Sequence, residues 1–539
     1  MLPFEHALAL LLATTGLAVV ARWIPIPAAI TYAIGGLLLA LVPGFPQVRL
    51  DPGFFFLCFL PPLLFADGWL MPLREFAKAK RPIITLATGL VIFTTLAVGW
   101  VAHWLIPSLP LAMAFALGAI VSPTDAVAVS DITERLKLPT RLTTVLKGES
   151  LMNDATGLVG FKFALAAVAV GAFSVRAAAL DFGILAAGGM AVGYVIGFGV
   201  GRLRDLLRRT HGSDALIEIT LSLLTPYAAY LAAERLGVSG ILAVVASGLY
   251  SGWRDPVRME AATRQTAWAV WSTVLFWLNG LAFVLLGLQC PRLFAAVADR
   301  YSAGELVGSA VAVSAVAIAA RLAWMFPGAY VPFILSKKIR ATEQRPHWRS
   351  VLVTGWAGMR GTVTLASALS IPLALPDGSP FPGRDLVIFL AFAVIAATLL
   401  LQGTTTEWLI RKLRLRGDDW IRDEEQMART TAVEAGLAAL RAAEPLTHAP
   451  EDNAALGLVL AEYEQRLSAL TAEGETRTHA RKRRVAEKRF RFAALDAERH
   501  AIDDLWRRNV ITDDVHRPLQ QLLDYEEAML RATPAEEGA

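Results

Sequence analysis

The sequence predicts an all-α polytopic membrane protein. About thirteen transmembrane helices form two inverted six-helix repeats, and a cytoplasmic helical tail follows. Three observations predict it. Hydrophobic residues make up 55% of the 539-residue chain and charged residues 18%, where soluble domains are about a quarter charged. The apolar content fills the chain to about Ile410 and then stops. Lys and Arg are distributed asymmetrically between alternate loops, as the positive-inside rule requires.

The apolar segments fall at about 5–22, 24–42, 53–70, 82–106, 109–132, 140–172, 180–201, 214–235, 238–252, 265–290, 304–335, 349–372 and 385–410. Most are near the roughly 20 residues that cross a bilayer. The sixth and eleventh are longer, hence tilted, kinked or extended beyond the lipid. The first lacks a basic leader and a small-residue cleavage site, and reads as a retained helix. If the segments alternate, one set of loops carries about 24 Lys and Arg, among them Arg74, Lys78, Arg135, Lys137, Arg204, Arg208, Arg258 and Lys337, and the other about six. The rich set is assigned to the cytoplasm, which puts the N-terminus outside and the C-terminus inside. A wrong segment count would scramble this asymmetry.

Two cysteines, Cys58 and Cys290, exclude a disulfide scaffold and a multi-cysteine zinc site. The net charge of +4 reflects basic loops at helix ends, so no nucleic-acid partner is expected. No nucleotide-binding loop occurs, which leaves ATP-driven transport without support. Residues 412–539 are polar, with helical stretches at about 419–443, 451–471, 478–509 and 512–531. They form either a solvated extension or a regulatory or dimer-contact domain. The run Arg481–Arg484 is either a solvated face or a contact for anionic lipid.

An ionisable side chain at the bilayer centre costs about 2.5–3.5 kcal/mol on insertion scales, so each one marks a candidate functional site. In the third segment, Pro61 and Pro62 are expected to break the helix ahead of Asp67. With Trp69, Arg74 and Lys78 nearby, Asp67 reads either as a helix-end acid at the cytoplasmic interface or as a further member of the site. In the fifth, Pro123 removes a backbone hydrogen bond and frees carbonyls in mid-span, and Thr124 and Asp125 follow with oxygens suited to a hard cation. Such backbone is tolerated only where it is buried in protein or lines a cavity. In the sixth, Ser150 and Asp154 share one helix face at i, i+4, with Glu149 and Asn153 on the neighbouring row. In the twelfth, Gly355, Gly358 and Gly361 weaken the helix around Arg360. An arginine cannot shed its charge, so it needs an acid or free carbonyls; Glu149 is the acid assigned to it. Glu218 and Arg321 are left without a role, either pair members or near an interface. Lys162 either pairs with an acid or lines the cavity, and His103 reads as a satisfied helix histidine near the outer end.

The fifth and twelfth segments lie seven apart. Thirteen segments divide as six, a linker and six, so the two interrupted segments occupy matching positions in two inverted halves. That is the pattern of a secondary-transporter binding site.

The motifs PPLLFADGW (61–69), SPTDAVAV (122–129), GESLMNDATG (148–157), LTPYAAY (224–230), VSGILAV (238–244) and GMRGTVTLASALSIP (358–372) together resemble the monovalent cation:proton antiporter family of sodium/proton exchangers, in its Asn-Asp branch. The resemblance covers about residues 5–411. It implies crossed broken helices, a core of helices at about 82–172 and 304–411, dimerisation helices at about 5–70 and 214–290, and a homodimer in the bacterial inner membrane. It places the essential aspartate on Asp154, preceded by Asn153, sodium-coordinating oxygens on Thr124, Asp125, Ser150 and Asp154, and a structural ion pair on Glu149 and Arg360. The expected activity is antiport of Na⁺, with Li⁺ or K⁺ as alternatives, for H⁺, one for one, without net charge movement, serving pH and sodium homeostasis. No cofactor is expected beyond the transported ions. An intramembrane aspartyl protease, a cation channel and a sensor with a signalling tail are the other classes considered. Glu149, Arg360 and the repeat argue against the protease, and saturable counter-ion-coupled flux separates an antiporter from a channel.

Overall fold

The computed structural model describes residues 4–24, 26–43, 45, 52–125, 136, 138–170, 175–342, 345–375, 377–415, 420–443, 450–471 and 474–532. Every predicted apolar segment contains helix among its described residues. We label them α1 (Phe4–Trp23), α2 (Ala28–Ala40), α3 (Pro52–Trp69), α4 (Lys80–Leu105), α5 (Leu111–Val121), α6 (Thr140–Val170), α7 (Val175–His211), α8 (Ala215–Arg235), α9 (Gly240–Arg258), α10 (Ala261–Ala298), α11 (Ala303–Leu335), α12a (Trp348–Trp356), α12b (Thr362–Leu369) and α13 (Arg384–Leu413). Eight of these are long and apolar enough to cross a membrane, and α2, α5 and most of α3 are shorter apolar helices. Among the described residues no strand occurs beyond an isolated bridge between Ala374 and Pro380.

Both predicted interruptions are present. α5 stops at Val121 and residues 122–125 leave the helix at Pro123. The second part of that segment, 126–135 with Arg135, and Lys137, lies outside the described residues. The twelfth segment opens at Ala357–Gly361, between α12a and α12b. Pro61 and Pro62, by contrast, do not break α3, which runs unbroken through them. The proline φ near −65° is itself helical, and the Cys58 carbonyl that Pro62 cannot reach accepts from the Tyr227 hydroxyl at 3.4 Å, so the acid that follows stays on a continuous helix.

The helices pack in two groups. α2 lies along α10, α3 along α9, and α7 along α8 and α9. α4 packs on α5, α11 on α4 and α13, and α5 on α6 and α13. α4 contains a π-helical turn at Thr85–Leu90 where it meets α6 and α11; such turns are commonly placed at functional sites. α3 also touches α6 and α12b, bringing the first group against the second.

Residues 418–539 form a separate compact unit. It contains α14 (Trp420–Ala443), α15 (Pro450–Thr471), α16 (Gly474–Arg507) and α17 (Asp513–Ala532), within a few residues of the predicted stretches. α14 packs on α15 and α16 on α17, around Val433 and Leu437 in the first pair and Leu495 and Leu523 in the second. Arg499 bridges to Asp524 and Glu527 across the second pair. Of the basic run, the side chains of Arg481 and Arg484 lie outside the described residues.

Candidate functional site: the crossing of two broken helices

The two interruptions meet. The Asp125 amide donates to the Met359 carbonyl across 2.8 Å, so the unpaired backbone of one break satisfies that of the other, as buried backbone must be satisfied. The Asp125 carboxylate reaches the amino end of α12b, where the Thr362 amide donates to it at 3.4 Å. A Cβ at Gly361 would overlap this carboxylate, so the close approach requires glycine there. The carboxylate thus sits at the positive end of a half-helix dipole.

Arg360 does the converse. Its side chain is fully buried, and Nε donates to the Val121 carbonyl at the end of α5 (2.9 Å). Its other nitrogens donate to the Gly358 carbonyl and, at 3.3 Å, to that of Ala317 on α11. Its amide donates to Thr398 Oγ1 on α13 (3.2 Å). A cation therefore caps the negative end of one half-helix and an anion the positive end of the other.

This corrects the expected ion pair. Glu149 is paired with Arg321, not with Arg360. Both oxygens of Glu149 are engaged by the Arg321 guanidinium, one bond measuring 2.9 Å, and each side chain is 1% exposed. Arg321 also donates to the carbonyls of Gly355 (3.1 Å) and Thr354 (3.0 Å). A Cβ at Gly358 would overlap the Arg321 side chain, so the glycine-rich break admits an arginine from α11. The physical reason is a choice between two arginines. Free carbonyls at the breaks answer Arg360, and the acid falls to the arginine that arrives from outside them.

On α6, Ser150 Oγ donates to the Thr124 carbonyl (2.7 Å) and Asn153 Nδ2 to Thr124 Oγ1 (3.0 Å). Thr124 Oγ1 donates to Glu149 at 3.4 Å. These bonds lock the α5 break onto the polar turn of α6. Thr124, Ser150, Asn153 and Asp154 are all buried. Asp154, Ser150, Thr124, Asp125 and Asp67 border one cavity of about 20 Å³, closed by Leu63, Leu64 and Thr362 among others. That is room for about one water-sized occupant.

The structure therefore brings together four of the oxygen-bearing residues expected to hold the cation, with Asn153 beside them. It adds Asp67, which borders the cavity from the last turn of α3. Lys162 stands apart: it lies 3.8 Å from Glu234 and does not border the cavity. His103 Nδ1 donates to the Leu109 carbonyl at 2.8 Å, beyond the end of α4. Glu218 is a pair member, held bidentately by Arg208 at 3.1 and 2.9 Å. Sequence reasoning missed the role of Arg321 and the lining by Thr362 and Thr364. The hydroxyls had a signal, since they directly follow the break at Gly361; Arg321 had only its charge within an apolar segment.

Residues 8–412 match the family described as sodium/hydrogen exchanger, transmembrane. The chain is 41% identical over 399 residues to a Bacillus pumilus protein named sodium, potassium, lithium and rubidium/H⁺ antiporter, an alignment spanning 73% of this chain and 59% of that protein. It is 36% identical over 526 residues to the Bacillus subtilis protein of the same name, spanning 96% of this chain and 77% of the relative. Among solved structures, the sodium proton antiporter MjNhaP1 from Methanocaldococcus jannaschii superposes with a TM-score of 0.59 at 20% identity, over 76% of this chain and 97% of that one, which shows a shared fold. The chain is a multi-span membrane protein of the sodium/hydrogen exchanger family, a family of cation/proton antiporters.

Proposed function

We propose that the chain exchanges a monovalent cation for H⁺ across the bacterial inner membrane, with Asp154 holding the two by turns. The observation that carries this reading is the convergence of Asp154, Asp125, Thr124 and Ser150 on one small cavity at the crossing of the broken helices. A carboxylate can hold a proton or a cation, but not both, so a site that faces each side alternately couples the two fluxes. Carboxylate, hydroxyl and carbonyl oxygens are the ligands a hard cation prefers. Asn153 is a neutral amide where a second acid would add charge, and the Asp125 carboxylate is offset by the α12b amino end. Both favour one proton per cation and no net charge moved.

Na⁺ is the cation we assign first. K⁺ or Li⁺ in the same machine is the second reading, favoured by the names of the Bacillus relatives, which include potassium, lithium and rubidium. Asp67, from the opposite wall, joins the site in this reading. α4–α6 and α11–α13 form the moving core; α1–α3 and α8–α10, with α7 packed on α8 and α9, form the scaffold through which two copies associate as a homodimer. The loop charges orient the N-terminus outside and the C-terminus in the cytoplasm, and pH and sodium homeostasis is the role such exchange serves.

The test is cation-induced dequenching of a pH probe in everted vesicles, with Na⁺, K⁺ and Li⁺ over a pH series. Wild type should respond with saturation, at a rate insensitive to membrane potential. Asp154→Asn should give no response while remaining folded by size exclusion. Exchange that persists in Asp154→Asn removes the site; strong potential dependence removes the one-for-one coupling.

A further inference from the structure

Two residues beyond Asp67, the Trp69 indole Nε1 donates to Asp255 Oδ2 on α9 across 3.3 Å. The same oxygen accepts from Arg204 Nη1 on α7 at 3.2 Å. All three side chains are buried: Trp69 is 8% exposed, Asp255 5% and Arg204 3%. A buried ion pair is a weak source of stability, because desolvation offsets the Coulomb gain. What this pair does have is a position, at the end of α3, which brings Asp67 to the cavity wall from outside the crossing.

The turn of α3 around Asp67 is held in three ways. Gly248 and Gly252 on α9 admit its backbone, since a Cβ at either would press on the Phe65 or Trp69 carbonyl. The Trp69 ring packs against Trp268 and Trp271, centroids 5.7 and 6.2 Å away. Phe65, fully buried and stacked on Trp271 at 5.3 Å, sets the rotation of the body of α3. Asp67 lies in the last turn, which ends at Trp69 and where the backbone ladder runs out. The Trp69–Asp255 bond is directional and ties that last turn to α9. Asp255 is in turn held by Arg204, and the ends of α7, α8 and α9 are cross-tied by Arg208 to Glu218, by Arg208 to the Arg258 carbonyl and by Arg258 to Asp205.

We infer that Arg204, Asp255 and Trp69 are positioning residues for the exchange site: they hold the last turn of α3 so that a scaffold helix delivers the Asp67 carboxylate to the cation cavity of the core. This rests on the exchange site proposed above. Its consequence is that cation affinity, rather than turnover, depends on a contact outside the crossing.

The test is a double-mutant cycle in proteoliposomes, reading the Na⁺ concentration for half-maximal exchange and the maximal rate. Trp69→Phe keeps an aromatic ring and removes the donor. It should raise the half-maximal Na⁺ concentration on the order of tenfold, the effect typical of losing an outer-shell partner of a cation ligand, with the maximal rate within about twofold. Asp67→Asn should raise it comparably, and Trp69→Phe placed in Asp67→Asn should add nothing. Asp255→Asn, which keeps an oxygen for the indole but releases Arg204, should shift it in the same direction and stands in if Trp69→Phe does not fold. Trp268→Phe perturbs the ring packing at an exposed position without touching the hydrogen bond, and should leave the affinity unchanged. An unchanged affinity in both Trp69→Phe and Asp255→Asn, a full additive effect in Asp67→Asn, or an equal shift in Trp268→Phe overturns the inference. Exchange persisting in Asp154→Asn overturns the underlying site instead.

Discussion

Removing Arg321 should damage this protein more than removing Arg360, although both arginines are almost fully buried in the core. In Arg321→Ala the Glu149 carboxylate stays 1% exposed and loses both of its guanidinium bonds, keeping only the 3.4 Å contact from Thr124. Leaving one member of a buried pair behind costs about 3–5 kcal/mol, a large share of the roughly 5–15 kcal/mol by which proteins are stable. Arg360→Ala strands no acid. It leaves the Val121, Gly358 and Ala317 carbonyls without that donor, about 4.5–9 kcal/mol at about 1.5–3 kcal/mol for each hydrogen bond to a charged group, whereas Arg321→Ala adds the loss of its Gly355 and Thr354 bonds to the stranded acid, about 6–11 kcal/mol in all. The measurement is the fraction of detergent-purified protein that stays monodisperse through a temperature series, in wild type, Glu149→Gln, each arginine variant and the two double variants. Glu149→Gln should rescue much of the Arg321→Ala loss, with a coupling on the order of 2 kcal/mol, and should couple to Arg360→Ala by no more than about 0.5 kcal/mol. A coupling to Arg360 as large as that to Arg321 would refute the reasoning and restore the pairing expected from sequence.

Gly361→Ala should abolish exchange without unfolding the protein, because the added methyl overlaps the Asp125 carboxylate at the amino end of α12b; wild-type flux in that variant would show that Asp125 is not held there. Lys162→Met should leave the half-maximal cation concentration within about twofold, since the side chain does not border the cavity and its acid lies 3.8 Å away; a tenfold change would return it to the site. In the tail, the hydrogen bond from His516 holds the Asp503 carboxyl below its usual range, and those from Arg499 and Arg531 do the same for Glu527. A folded-state value below the unfolded one contributes stability above the unfolded value, near pH 4, that is lost as pH falls through the folded value. Amide protection across α16 and α17, corrected for intrinsic exchange, should therefore fall between about pH 5 and about pH 3 in the full chain, and protection that holds throughout would show that these contacts do not stabilise the helix pair.

Hydropathy and loop charge make the fold legible because membrane insertion tests each segment almost independently. A span must satisfy its own backbone and hide its own charges, so spans such as α11 and α13 announce themselves locally. The breaks are legible for the same reason: Pro123 and the glycines around Arg360 deny those segments a continuous helix. What is not local is partner choice. Arg321 and Arg360 have the same charge, lie in comparably apolar surroundings, and differ only in what the fold brings to them. The acid goes to the arginine that carries no helix end of its own to cap, while Arg360 is already answered by the α5 carboxyl end. Asp67 obeys the same logic. Its neighbours Trp69, Arg74 and Lys78 favour a helix-end acid when read along the chain, yet Trp69 turns inward to Asp255 and the acid turns with it. A residue whose orientation is fixed by a hydrogen bond 186 positions away cannot be placed from its own segment. Sequence pattern therefore locates the charged residues that require explanation, and tertiary hydrogen bonding decides which of them face the cavity.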